Sequence, residues 1–309
     1  MSLNDSSAVD KKANSFPWEH PKSVNEDPQA LKQTELIIQS PSYIIAEEDT
    51  SFLQQHETLG LRLDLDYLKA ELLLEHHGIK QTVVVFGSTR IIEEKTAKSQ
   101  LQKAKKSLQK SPKSTKKIKA VKTAKRILKK SRFYTIAREF GQLVGRAGNE
   151  NMDARTTLMT GGGPGIMEAA NRGAFDVGAK SIGLNISLPH EQFPNPYITP
   201  ELCFQFHYFA IRKLHFLQRA RALVVFPGGF GTVDELFNTL TLIQTGKIDP
   251  LPIVLVGQKY WKQLINIDFM EEEGVIASED RSIFSYAESA EEIFKKLLEW
   301  HQHNKTSLF

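Results

Sequence analysis

The sequence predicts an α/β fold, a doubly wound parallel sheet with an N-terminal helical extension and an inserted Lys-rich helical hairpin. Three observations predict it. From about residue 81 onward, short β-branched or apolar runs alternate with amphipathic runs. Two of the apolar runs feed glycine-rich turns that open the next helix, Thr160-Gly161-Gly162-Gly163-Pro164-Gly165 and Pro227-Gly228-Gly229-Phe230-Gly231-Thr232. One segment, Lys95 to Arg132, holds 16 lysines and arginines and no aspartate or glutamate.

Each element follows in order. Residues 1 to about 27 are polar and proline-bearing and read as poorly ordered. Pro28 to Gln39 reads as a short helix. Leu61 to His77 carries Leu61, Leu65, Leu68, Leu72 and Leu73 at helical spacing, and Gly78 ends it. Thr82 to Phe86 is β-branched and short, a buried parallel strand, followed by a third turn at Gly87-Ser88-Thr89-Arg90. Pro112, between Ser111 and Ser114, splits the basic segment into two runs of good helix formers. Ser131 to Gly148 places Phe133, Ile136, Ala137, Phe140 and Val144 on one helical side.

The alternation then becomes regular. A strand ends at Thr160, a helix spans Ile166 to Gly178, and Ser181 to Ile186 forms a strand. A proline-bearing loop leads to the apolar Leu202 to Phe206, and a helix carries Arg212 and Lys213. Strand Ala222 to Phe226 and a helix from Thr232 to about Thr245 follow. Strand Ile253 to Val256, a helix near Trp261 to Glu273, strand Ile283 to Tyr286 and a terminal helix complete the chain. The organisation expected is an extension over residues 1–80 and a sheet domain over 81–309, with the basic insertion at 93–131.

Charge and cysteine content narrow the class. The net charge of +4 averages two unlike parts: outside the basic segment, 24 lysines and arginines face 36 aspartates and glutamates. No uncharged apolar run approaches the roughly 20 residues needed to cross a bilayer. The polar N-terminus lacks the apolar core of a signal peptide. A single cysteine, Cys203, excludes an intramolecular disulfide and fits a reducing compartment, so a cytoplasmic location is expected. Cys203 itself reads as a small core residue.

The chemistry is concentrated in the turns. A strand that delivers a side-chain-free turn to a helix N-terminus aims backbone N–H groups, and the helix dipole, at one point, which suits a phosphate. Gly87, Ser88, Gly161, Gly162, Gly163, Gly165, Gly228, Gly229, Gly231 and Thr232 are therefore candidate phosphate or substrate ligands. Thr232 would also be explained as a plain helix cap. Arg212 and Lys213 precede the strand that feeds the second turn, and Glu235 lies one turn into its helix. An arginine can grip phosphate bidentately, and a fixed carboxylate can stabilise developing positive charge or orient water. Asp234 reads as a surface residue compensating the helix dipole. Glu168 and Asn171, behind the first turn, could meet a sugar. His301 and His303 read as solvated, His76, His77 and His207 have no metal-ligand spacing, and no metal is expected. A nicotinamide-dependent oxidoreductase is disfavoured, because the spaced-glycine fingerprint and its acidic residue are not arranged that way.

These residues together resemble the LOG family, often catalogued under the older label of possible lysine decarboxylases. The resemblance runs from about Thr82 to the C-terminus apart from the basic insertion. It is carried by Gly161-Gly162-Gly163-Pro164-Gly165-Ile166-Met167, by Arg212-Lys213 and by Pro227 to Glu235. It implies hydrolysis of a nucleoside 5'-monophosphate to free base and ribose 5-phosphate, without a cofactor. The family's catalytic arginine and glutamate fall on Arg212 and Glu235, with Lys213 beside them. The context His207-Tyr208-Phe209-Ala210-Ile211 is similar to the bacterial branch of broad purine nucleotide nucleosidases, so AMP or GMP is the expected substrate type. The resemblance also implies a homodimer or larger even assembly. Amino-acid decarboxylation would need an electron sink such as pyridoxal phosphate on a lysine, and nothing in the sequence resembles that site.

Two alternatives stay open at this point. One is a nucleotide sensor on the same fold that binds and does not cleave. The other is an RNA-associated protein, resting on the basic segment alone. That segment reads first as solvated surface and only second as a docking patch for nucleic acid or an acidic partner, and its lack of aromatic residues argues against stacking on single strands.

Overall fold

The computed structural model describes residues 20–150, 156–189 and 193–309. The expectation of disorder over residues 1 to about 27 lies outside the described residues up to residue 19. Residues to Arg62 and residues from Leu63 form two compact units. The first contains α1 (Ala30–Ile38) and α2 (Thr50–Leu53). Its short helices are tied by polar caps: Asp49 accepts the Phe52 N–H at 3.0 Å, and the Thr58 hydroxyl donates to the carbonyl of Leu53.

The second unit holds the body of α3 (Leu59–His76) and seven strands. These are β1 (Gln81–Phe86), β2 (Thr156–Thr160), β3 (Ser181–Ile186), β4 (Cys203–Phe206), β5 (Ala220–Val225), β6 (Ile253–Val256) and β7 (Phe284–Ala287). All pair in parallel, in the order β4-β3-β2-β1-β5-β6-β7. The intervening helices are α4 (Glu94–Gln109), α5 (Thr115–Lys130), α6 (Arg132–Glu150), α7 (Ile166–Asp176), α8 (Phe209–Gln218), α9 (Phe230–Gln244), α10 (Gln258–Leu264), α11 (Ile267–Glu272) and α12 (Ala290–His303). The fold is the expected Rossmann-like α/β arrangement, with α4 and α5 as the inserted hairpin.

Strand periodicity divides the core. Val83 and Val85 of β1, with Ala222 and Val224 of β5, face one layer beside α6, α7 and α12. Val84 and Phe86, with Leu223 and Val225, face the other beside α3, α8, α9 and α10. Both faces are covered, which is why the central strands read as unbroken apolar runs.

Several elements depart from expectation. The α3 leucines have helical spacing, yet Leu65, Leu68 and Leu72 are exposed, and the helix buries Ala70 and Leu74. The segment from Trp261 to Glu273 is two helices, because Asn266 caps α11 by accepting the Phe269 N–H at 3.1 Å. His301 is not solvated. It is buried, with one ring nitrogen 2.9 Å from the Arg221 carbonyl and the other 2.7 Å from the Thr306 hydroxyl. A carbonyl only accepts, so the nitrogen facing it carries the proton.

Candidate functional site

Chain order runs outward from β1 through β2, β3 and β4, then returns to β5 on the other side of β1. The reversal makes the C-terminal ends of β1 and β5 the switch point, where a doubly wound sheet opens a crevice. The three glycine turns follow β1, β2 and β5, which are neighbours, so the topology gathers them at one edge.

They are also stitched together. The Ser88 N–H donates to the Pro227 carbonyl at 3.1 Å, and the Ser88 carbonyl accepts the Ile166 N–H at 3.2 Å. The Ser88 hydroxyl accepts the Arg90 N–H at 3.1 Å. Ser88 is thus the knot between the first and second glycine turns. Gly87 packs directly on Ile166.

The glycines are not equivalent. Gly162 has φ of +69°, and a Cβ there would fall 1.8 Å from Asn185 Oδ1. Gly165 has φ of +78°, and a Cβ would press on the Ser88 carbonyl. The fold itself demands these two. The carbonyls of Gly162 and Gly163 are taken by Asn195, through its N–H at 2.9 Å and its amide at 3.1 Å, and Gly161 lies against Met167. Asn171 is fully enclosed behind the turn and accepts from the Thr160 hydroxyl and the Asn195 amide, so it does not reach a sugar. Glu168 accepts from the Tyr134 hydroxyl at 2.7 Å.

In the second turn, Gly228 closes on the Thr232 side chain, and its carbonyl accepts from the Tyr260 hydroxyl. At Gly229 and Gly231 an added Cβ would meet nothing within 4 Å, and neither has a positive φ. Packing does not explain them. Their effect is to leave the first backbone N–H groups of α9 open to approach, the geometry that anions exploit. Gly229, not Thr232, holds the cap position; Thr232 is the third residue of α9 and is buried over Gly228. Phe230, between the two open glycines, is 97% exposed.

Arg212 and Lys213 of α8 face Asp234 and Glu235 of α9 in two ion pairs. Lys213 Nζ is 2.7 Å from Asp234, so Asp234 is more than a dipole-compensating surface charge. Arg212 Nη2 is 3.6 Å from Glu235 Oε1, and both side chains are buried. The Arg212 guanidinium lies 4.9 Å from the Phe209 ring centre and 5.5 Å from that of Phe216, and its Nε is buried without a partner. Burial pushes the Glu235 carboxyl up to about 7, against the opposing pull of Arg212 and Lys213. Burial likewise lowers the Arg212 guanidinium, though an arginine stays charged.

A second set of residues, silent in the sequence, holds α8 in place. Asp66 of α3 accepts the backbone N–H groups of His207 at 3.0 Å and Tyr208 at 2.9 Å, immediately before the helix. Glu71 of α3 grips Arg219, just past the end of α8, through two bonds of 2.7 and 2.6 Å. Between them the fully buried His215 stacks on Tyr67, with Nε2 3.2 Å from the Tyr67 carbonyl. Burial pushes His215 down despite Glu71, which leaves it neutral near pH 7. The partners are more than 140 residues apart, so no local pattern could reveal them.

Comparison with known proteins takes in Arg212, Lys213 and the second glycine turn; Gly87, Ser88 and the first glycine turn precede the stretch matched by the family model. The model of the family described as possible lysine decarboxylase matches residues 167–297. The cytokinin riboside 5'-monophosphate phosphoribohydrolase LOG3 of Arabidopsis thaliana is 32% identical over 169 residues, covering 52% of this chain and 77% of the relative. LOG4 of the same plant, which bears the same activity name, is 32% identical over 158 residues, covering 50% and 72%. Among solved structures, the molybdenum cofactor binding protein from the phototrophic bacterium Rippkaea orientalis aligns over 74% of this chain and 98% of its own, at 17% identity and a TM-score of 0.41.

Proposed function

The chain belongs to the LOG family, and from that premise we propose that it hydrolyses the N-glycosidic bond of purine nucleoside 5'-monophosphates, AMP or GMP first, to free base and ribose 5-phosphate. The observation that carries the reading is the buried, incompletely satisfied Arg212–Glu235 pair at the edge where the three turns meet. The protein provides its own control. Arg219 and Glu71, a pair that holds helices together, close to two short bonds of 2.6 and 2.7 Å. Arg212 and Glu235 stand 3.6 Å apart with a guanidinium nitrogen left over, which suits a pair that opens to a ligand.

In this reading the 5'-phosphate sits on the open N-terminus of α9, at Gly229, Gly231 and Thr232, with Arg212 as its charged clamp. Gly87, Ser88 and the first glycine turn, Gly161 to Gly165, wall the opposite side. Lys213 acts by holding Asp234 and adding positive charge. Cleavage breaks the bond between C1' and the base nitrogen, and the bonding electrons leave with the base. Positive charge grows on the ribose ring, where the Glu235 carboxylate stabilises it. Water adds to C1' and gives up a proton, which ends on the departing base. A carboxyl near 7 is a competent base for that water at neutral pH.

The names of the plant relatives specify cytokinin riboside 5'-monophosphates. The stretch His207 to Ile211 before Arg212 resembles the bacterial branch of broad purine nucleotide nucleosidases, which supports a general purine nucleotide instead. The test is a panel of nucleoside monophosphates, cytokinin ribotides included, with simultaneous detection of base and ribose 5-phosphate. Stoichiometric release of both from AMP or GMP is expected. Tight binding without release from any nucleotide would replace the enzyme with a sensor.

A further inference from the structure

The basic hairpin is the largest feature that this chemistry does not use. Its two helices pack on one another through a narrow apolar seam of Ala97, Leu101, Ala104 and Leu108 on α4 and Val121, Ala124 and Leu128 on α5, all buried or half-buried. The seam takes up most of the apolar side chains, Ile118 staying exposed, and leaves most of the lysines on the outward faces. Apart from Lys98 on Glu94 and Arg132 on Glu288, no ion pair among the described residues involves the sixteen cations. An array of like charges repels itself, so it destabilises the free protein unless a partner supplies the opposite charge.

The hairpin also stands at the ligand edge. It leaves the sheet directly after the β1 turn. At its foot Lys130 Nζ lies 4.8 Å from the ring centre of Tyr260, whose hydroxyl donates to the Gly228 carbonyl of the second glycine turn.

We infer that the α4–α5 hairpin is a docking arm for double-stranded RNA, held through its phosphate backbone. Each helix has 16 residues and is about 24 Å long at a rise of about 1.5 Å per residue. Double-stranded DNA carries roughly one phosphate charge per 1.7 Å of axis with both strands counted, and an RNA duplex is at least as dense. A rod of this length therefore lies along several phosphates on the side it faces. The hairpin has no aromatic residue on which an unpaired base could stack. Its remaining exposed polar side chains are Gln, Ser and Thr, such as Ser99, Gln102, Ser107 and Thr123, which suit 2'-hydroxyls along a shallow minor groove. An acidic polypeptide offers neither the regular charge spacing nor those hydroxyls. The choice of RNA over DNA leans also on the proposed function, since ribonucleoside monophosphates are the units of RNA.

The test uses the full chain and a variant with Lys103→Gln, Lys106→Gln, Lys119→Gln and Arg126→Gln, all at exposed positions. Binding to a duplex RNA of about 20 base pairs is measured from about 50 to about 200 mM KCl, beside duplex DNA of the same sequence and polyglutamate. With about four phosphates neutralised, affinity for RNA falls on the order of 100-fold across that range. The variant loses on the order of tenfold or more at low salt and keeps the wild-type rate of AMP hydrolysis. Duplex DNA or polyglutamate bound as tightly as RNA would overturn the assignment, as would unchanged RNA binding by the variant. A change in assembly size without loss of RNA binding would instead make the hairpin a contact between copies of this chain. Failure of wild-type protein to cleave any nucleotide, with salt-dependent RNA binding intact, would remove the proposed activity and leave the docking arm standing.

Discussion

Arg212 Nη2 and Glu235 Oε1 stand 3.6 Å apart, buried together, at an ion-pair distance too long for a hydrogen bond. Their helices meet only because β5 returns to the side of β1 after three strands have been laid down elsewhere. The pair is electrostatically unfinished: Glu235 is held up near 7 by burial, and Arg212 keeps an unpartnered Nε. Most of the testable consequences follow from that condition.

The first concerns charge at Glu235. Glu235→Gln preserves shape and removes the carboxylate proposed to meet the ribosyl cation in the transition state. Turnover should fall on the order of 100-fold or more with nucleotide affinity largely kept. Arg212→Ala should weaken both affinity and turnover. Steady-state kinetics beside calorimetry separates the two, and near-wild-type turnover in Glu235→Gln would remove its catalytic assignment.

The second concerns pH. The proposed reaction uses the ionised carboxylate, so kcat/KM should rise with pH through an apparent pKa near 7. Stability should move the other way. A carboxyl whose folded pKa is raised binds a proton in the native state that the unfolded chain has released. The protein therefore gains stability as pH falls from about 7 toward the ordinary carboxylate range, and loses it as pH rises. The contribution is on the order of 3 kcal/mol. Chemical denaturation between about pH 5 and 8 should show a flatter pH slope for Glu235→Gln than for wild type; equal slopes would place the titration elsewhere.

Asp66 should position Arg212 without touching substrate. Asp66→Ala frees the two backbone N–H groups it caps before α8. A cap of this kind contributes about 1 kcal/mol, so the protein should still fold. The expected signature is a raised KM with a smaller change in kcat, largely rescued by Asp66→Asn, which keeps an acceptor. Unaltered KM in Asp66→Ala would detach α3 from the site.

Two glycines should behave oppositely. Gly162→Ala forces a left-handed residue against Asn185 and should cost about 2 kcal/mol or more in stability. Gly231→Ala meets open space, so the melt should stay near wild type while nucleotide affinity drops several-fold. If nucleotide binding survives Gly231→Ala intact, the open N-terminus of α9 is not the phosphate site.

Replacing residues 94–130 with a short Gly/Ser bridge should leave a cooperative melt. The hairpin's apolar groups are spent mainly on its own seam, and the core residues flanking it, Ile91 and Phe133, remain. Loss of soluble protein would show that the hairpin supports the sheet or an assembly.

Local chemistry in the sequence determined the element types, the three turns and the hairpin, and the family resemblance singled out Arg212 and Glu235. β-branched runs, glycine punctuation and helical spacing are legible over about ten residues, and they need no knowledge of neighbours. The tertiary structure decided what those elements face. It turned Ala70 and Leu74 inward and left the regular leucines of α3 outside, because the sheet accepts only one face of that helix. It buried His301 by laying the Arg221 carbonyl over it. It gave Lys213 to Asp234, and it supplied Asp66, Glu71 and His215 as the frame of α8. These are contacts across tens to more than a hundred residues, set by strand order, and strand order is a property of the packed sheet that no single segment encodes.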